Sequence, residues 1–183
     1  AALIAETAGI PNHFRLAVDL GCGTGLLGSE IRASVDRLQG YDLSKGMLAK
    51  AAEKHVYDHL GQADLSLQPE LSGVFDAGLE PGRADLVTAA DVLMYLGNLQ
   101  GVMAIVQELA ADDAVFAFSV EDAQEADGYV LRDSLRFAHS EAYVRDILAD
   151  HGFTVLELVR SVIRMDGGKP VHGILFIASK SAR

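Results

Sequence analysis

The residues best equipped for chemistry stand together near the start of the chain, in the run Asp19-Leu20-Gly21-Cys22-Gly23-Thr24-Gly25. Glycine at every second position from 21 to 25 lets a backbone turn tightly and approach a ligand with no Cβ in the way. The run lies where an apolar stretch gives way to a helical pattern, and the first amides of a helix face polar or anionic ligand atoms. Asp42 closes the next apolar stretch, about twenty residues past the first glycine, from where a carboxylate reaches the hydroxyls of a ribose. This spacing predicts a nucleoside-containing ligand across the carboxyl ends of two neighbouring strands.

The elements that must hold these residues follow from hydrophobic period. Short apolar runs at 16–20, 38–42, 56–60, 84–89 and 114–120 read as strands, the last continuous enough to be buried on both faces. Between them lie helical patterns. One starts near Gly25, and one is capped by Ser44 with Met47, Leu48, Ala51 and Ala52 on one face. A third carries Val102, Ile105, Val106 and Leu109, and a fourth is capped by Ser140 and stopped by Gly152. The stretch 67–82, with two prolines and three glycines, reads as loop with one helical turn. Segments 153–165 and 171–179, joined by Asp166-Gly167-Gly168-Lys169-Pro170, leave no room for a helix and must pair antiparallel. Alternating strands and helices predict an α/β, doubly wound, mostly parallel, seven-stranded Rossmann-like sheet ending in an antiparallel hairpin.

Gly23-Thr24-Gly25-Leu26-Leu27-Gly28 matches the dinucleotide fingerprint literally, which keeps NAD in view. Its register argues otherwise. The glycine that closes the strand is Gly21, which places Leu26 where the fingerprint needs its third glycine. Asp19, read at the mouth of the site, sits badly beside a pyrophosphate and suits an ammonium group.

The run 19–25 resembles the first motif of class I S-adenosylmethionine-dependent methyltransferases. Gly40-Tyr41-Asp42-Leu43-Ser44 resembles the second, Gly61-Gln62-Ala63-Asp64-Leu65 the third, and 84–96, with Asp91 and Tyr95, the fourth. The final hairpin is similar to the antiparallel strands that close that fold. The resemblance implies S-adenosyl-L-methionine as cofactor. It implies contacts from Asp19, Gly21, Cys22, Gly23, Thr24 and Gly25, from Asp42, Leu43, Ser44 and Met47, from Ala63, Asp64 and Leu65, and from Ala90 and Asp91. A narrower resemblance, in Arg136-Phe137-Ala138-His139-Ser140, Gly152-Phe153 and 167–171, is to bacterial methyltransferase domains that follow tetratricopeptide repeats, which would lie upstream of Ala1.

On the acceptor side the candidates divide between site and structure. Asp91 is a ligand contact or the cap of a short helix; Tyr95 is catalytic and substrate-binding, or core. His139, just before a helix cap, is the best single candidate for a general base. Arg132 and Arg136, at helical spacing, are either substrate contacts for an acidic acceptor or a solvated face. Cys22 reads as a small packing residue. The insertion 121–139 carries no motif that reads as chemistry.

The 183 residues suit one domain, 1–183, and the absence of an initial Met suggests a fragment of a longer protein. Twenty-six acidic residues against 15 basic ones give a net charge of −11, and no basic cluster favours nucleic acid. No apolar run reaches the roughly 18 residues of a membrane span. A single cysteine allows no internal disulfide and no cysteine metal cluster, which fits the cytoplasm. The expected activity is methyl transfer to a small-molecule acceptor. The alternative is a cofactor-binding regulatory or interaction module beside upstream repeats.

Overall fold

The computed structural model describes residues 1–76, 78–124 and 126–181. A short helix α1 (Ala2–Glu6) precedes β1 (Phe14–Leu20) and α2 (Leu26–Ile31). Then come β2 (Val35–Asp42), α3 (Lys45–Ala52), β3 (His59–Gln62), β4 (Ala84–Ala89), α4 (Gln100–Leu109) and β5 (Ala110–Asp122). The chain closes with β6 (Tyr129–Leu131), β7 (Phe137–His139), α5 (Glu141–Asp150), β8 (Phe153–Asp166) and β9 (Lys169–Lys180).

Strands β3-β2-β1-β4-β5 lie side by side, all parallel. β9 runs antiparallel along β5 from Val115 to Glu121 and pairs on its other side with β8. Side-chain alternation explains why both faces must be covered. Leu16, Val18 and Leu20 of β1 join one core with Val102, Ile105 and Leu109 of α4 and Val144 and Leu148 of α5. Ala17 joins the other core with Ile4 of α1 and Ile31 of α2. Ser44 and Ser140 cap α3 and α5, accepting from the amides of Met47 (3.3 Å) and Tyr143 (3.2 Å). Gly152 ends α5 at φ 78.

Four departures from the sequence reading have local causes. The sheet has nine strands, not seven, because 121–139 folds into the hairpin β6–β7. Glu121 pairs with Gly173 of β9 on one edge and with Ala138 of β7 on the other, so β7 continues along β5 on the edge that β4 leaves after Ala89. Arg132 and Arg136 therefore flank a turn, not a helix face. Strands of three residues are too short to show a period. The third strand starts at His59 instead of 56, because side chains claim the residues before it: Asp58 accepts from the Leu38 amide (2.7 Å) and from Arg32 (2.8 Å). Met47 is 41% exposed, so the core side of α3 rests on Ala51. Among the described residues, no helix is long and apolar enough to cross a membrane.

Candidate active site

The first part of the glycine loop is tied to β2. The amides of Gly21 and Cys22 donate to the Tyr41 carbonyl at 2.7 and 3.0 Å, and the Gly23 amide donates to Asp42 Oδ2 at 2.9 Å. Asp42 Oδ1 accepts from the Ser44 amide at 2.8 Å, so the carboxylate is held at the start of α3 by two backbone N–H groups. Gly21 has φ 68, and a Cβ there would overlap Val92. A Cβ on Gly23, at φ 54, would meet nothing within 4 Å, because that position faces open space.

That space is a cavity of about 430 Å3. Gly21 and Gly23 lie on its loop side and Asp42, Leu43, Ser44 and Met47 at the start of α3. Ala63, Asp64, Leu65 and Ser66 line it after β3, and Asp91, Val92, Tyr95 and Leu96 after β4. Apolar walls with a few fixed polar groups are the usual make-up of a small-molecule site. Asp64 Oδ1 accepts from the Ser66 amide (2.9 Å) and hydroxyl (2.6 Å), and these bonds hold its carboxyl below the usual range. A cleft of about 580 Å3 is larger, but it lies near the amino ends of β1, β2 and β4, among Arg15, Arg37 and Arg83. No residue of the glycine loop reaches it.

Beneath the loop the structure holds a device absent from the sequence reading. The ring of Tyr57 fills a slot where Gly25, Gly28 and Gly40 converge, and a Cβ on any of the three would overlap it. Its hydroxyl donates to Asp19 Oδ2 at 2.8 Å, while Thr88 donates to Oδ1 at 2.8 Å. Asp19 is 1% exposed, so it lies under the loop and not at the mouth of the site. Burial raises its pKa to about 6, opposed by the two hydroxyl bonds and supported by the nearby charge of Asp42. Burial, with Asp19 and Asp42 close by, pushes the Cys22 thiol up to about 12, which makes it a poor nucleophile. Gly28, the residue that let a dinucleotide fingerprint be read, is thus glycine because Tyr57 packs against it.

Asp91 follows β4 at φ 56, its amide donating to Ser119 Oγ (3.0 Å). It caps no helix; its Oδ1 accepts instead from Arg164 Nη1 (3.0 Å). Tyr95, 62% exposed, belongs to the cavity rim and not to the core. The remaining acceptor-side candidates fall elsewhere. His139 is fully buried and is not among the residues that line the cavity over the glycine loop; its Nε2 lies 2.9 and 3.0 Å from the carbonyls of Leu96 and Gly97. Because carbonyls only accept, Nε2 carries the proton. Burial lowers the His139 pKa, and its ring stacks on Tyr143. Its position is that of a strut under the loop that carries Tyr95, not of a base facing the cavity. Arg136 is spent on Asp166 (2.7 Å). Cys22, Thr24 and Gly25 are not among the residues that line this cavity. Ala90 lines a separate, smaller cavity with Leu3, Thr88 and Phe118.

The model of the methyltransferase domain family matches residues 18–116, more than half the chain. Human methyltransferase-like protein 27 is 41% identical over 75 residues, 39% of this chain and 31% of that protein. A ubiquinone biosynthesis O-methyltransferase of Methylococcus capsulatus is 33% identical over 107 residues, 57% of this chain and 43% of that one. The chain thus spans less than half the length of the curated relatives it matches. Among solved structures, a SAM-dependent methyltransferase from Methanosarcina mazei superposes with a TM-score of 0.74 at 13% identity, covering 95% of each chain.

Proposed function

The chain belongs to the methyltransferase domain family, whose cofactor is S-adenosylmethionine, and on that premise we propose that it methylates a small-molecule acceptor. The observation that carries this reading is the 430 Å3 cavity, with glycine backbone on one side, the carboxylates of Asp42, Asp64 and Asp91 along it and apolar walls between them. Those residues fit the cofactor. Asp42, already aligned by two amides, keeps lone pairs for ribose hydroxyls, and Asp64 does so for an adenine amino group. Leu43, Met47, Ala63 and Leu65 supply apolar surface for the base. Gly21 and Gly23 allow close backbone approach beside the amino-acid portion, and Asp19 stiffens the loop from below.

The bound cofactor supplies a methyl group on a positively charged sulfur, already primed for in-line displacement. The chain's task is then to align the acceptor and keep water out, worth up to about 7–11 kcal/mol in favourable cases. Asp91 and Tyr95 stand at the end of the cavity farthest along the sheet from Asp42 and Asp64, where the acceptor would meet the methyl group. His139 contributes by fixing the carbonyls of Leu96 and Gly97. A carboxylate acceptor requires no base.

The net charge of −11 and a relative named for ubiquinone biosynthesis favour a small molecule over nucleic acid. We place the domain in the cytoplasm, where Cys22 stays a thiol. Calorimetry with S-adenosylhomocysteine and NAD tests the cofactor reading. Micromolar binding of the former and none of the latter is expected; NAD binding alone would overturn it.

A further inference from the structure

A second cavity, of about 290 Å3, opens beside the first, where β5, the β6–β7 turn and the β8–β9 hairpin converge. Arg164 lines it and also reaches Asp91, which lines the cofactor cavity, so this ion pair stands between the two spaces. The position of Arg164 is built into the hairpin. Val162 pairs with His172 and Arg164 with Val171, which makes Ile163 an extra residue in β8. Such a bulge re-aims the side chain that follows it. Gly173 makes room, since a Cβ there would press on Ile163 and on the Val120 carbonyl. Arg164 thereby reaches Glu121, which is 3% exposed, as well as Asp91 and the Met94 sulfur.

The charges around this space decide what it accepts. Glu121 is matched by Arg164, Asp122 by Arg160 at 3.2 Å, and Asp166 by Arg136 at 2.7 Å. Arg132 lines the same cavity and donates to the Asp122 carbonyl at 2.5 Å. Among the described residues no carboxylate lies within ion-pair distance of it. Its guanidinium is held by a backbone carbonyl and keeps further N–H donors for a ligand. Its planar fork is suited to a carboxylate. Pro170 and Val171 add apolar surface for a carbon skeleton.

We propose that this second cavity is the acceptor compartment and that it takes a small organic carboxylate, anchored on Arg132 and entering past the Asp91–Arg164 pair. The assignment rests on the cofactor reading above for its role in methyl transfer, but the anion site itself stands on its own charges. Benzoate and benzamide, alike in shape and different in charge, are the probes, titrated calorimetrically with and without S-adenosylhomocysteine. Benzoate should bind at least tenfold more tightly than benzamide. Arg132→Gln, at an exposed position, should erase that preference while leaving S-adenosylhomocysteine affinity within twofold. Equal binding of the two probes, no benzoate binding in the millimolar range, or an unchanged preference in Arg132→Gln would each overturn the proposal. Loss of S-adenosylhomocysteine binding in the wild type would strike the cofactor reading instead, since the benzoate arm is read without it.

Discussion

The two cavities lie side by side over one sheet and are built by opposite means. The cofactor side is made of backbone: left-handed glycines, amides donating to Asp42, and a slot in three glycines that Tyr57 fills. The acceptor side is made of side chains drawn from distant elements, with Arg164 bridging Asp91 and Glu121 across 73 and 43 positions of sequence. A backbone cradle fixes its ligand through the fold itself and tolerates few substitutions. An ion-pair wall can be rebuilt by exchanging single side chains, which suits the part of an enzyme that must differ from one acceptor to another.

The sharpest way to break this contrast is to remove the charge that holds the wall. Arg164→Ala leaves the buried Glu121 carboxylate without its cation, and chemical denaturation should show a loss of about 3–5 kcal/mol. The double variant Glu121→Gln, Arg164→Met should recover much of it. A loss below 1 kcal/mol in the single variant would mean that the wall is not built on this pair.

On the cofactor side, Gly28→Ala forces a methyl group into the Tyr57 ring and should cost about 1–3 kcal/mol. Combined with Tyr57→Ala the two costs should be strongly non-additive. Additive costs would remove Tyr57 as the reason for that glycine.

A smaller effect separates the buried carboxylate below the loop from its exposed neighbours. Asp19 has a native pKa of about 6 against 3.8 for a free side chain, because burial favours the neutral acid. The native state therefore holds the proton where the unfolded state has lost it. The stability of the wild type relative to Asp19→Asn is fullest below pH 4 and falls as pH rises toward 6. Between pH 5 and pH 7 the difference should shrink by about 1 kcal/mol. A difference independent of pH would show that Asp19 is not shifted.

These contrasts also explain what could be read from sequence. Asp42, Asp64 and the alternating glycines were legible because each sits at a strand end, beside the residues it works with. The strand 84–89 and the stripe Val102, Ile105, Val106 and Leu109 were legible because burial enforces a period. Tyr57 was hidden because its partners Asp19, Gly28 and Gly40 come from other elements. The only sequence signal for it was Gly28, a glycine inside a helix with no turn to make. Arg164 was hidden because a bulge, not the strand's alternation, sets its direction. His139 drew attention as a lone histidine before a helix cap, a pattern that does not separate a strut from a base. Its two carbonyl partners make that distinction.

The central claim is that the cavity over the glycine loop holds S-adenosylmethionine, oriented by Asp42. Its most direct test is calorimetric titration of S-adenosylhomocysteine into the wild type and Asp42→Ala. Micromolar binding in the wild type and a loss of at least about tenfold, roughly 1.4 kcal/mol, in the variant are expected. An unchanged dissociation constant in Asp42→Ala would contradict it.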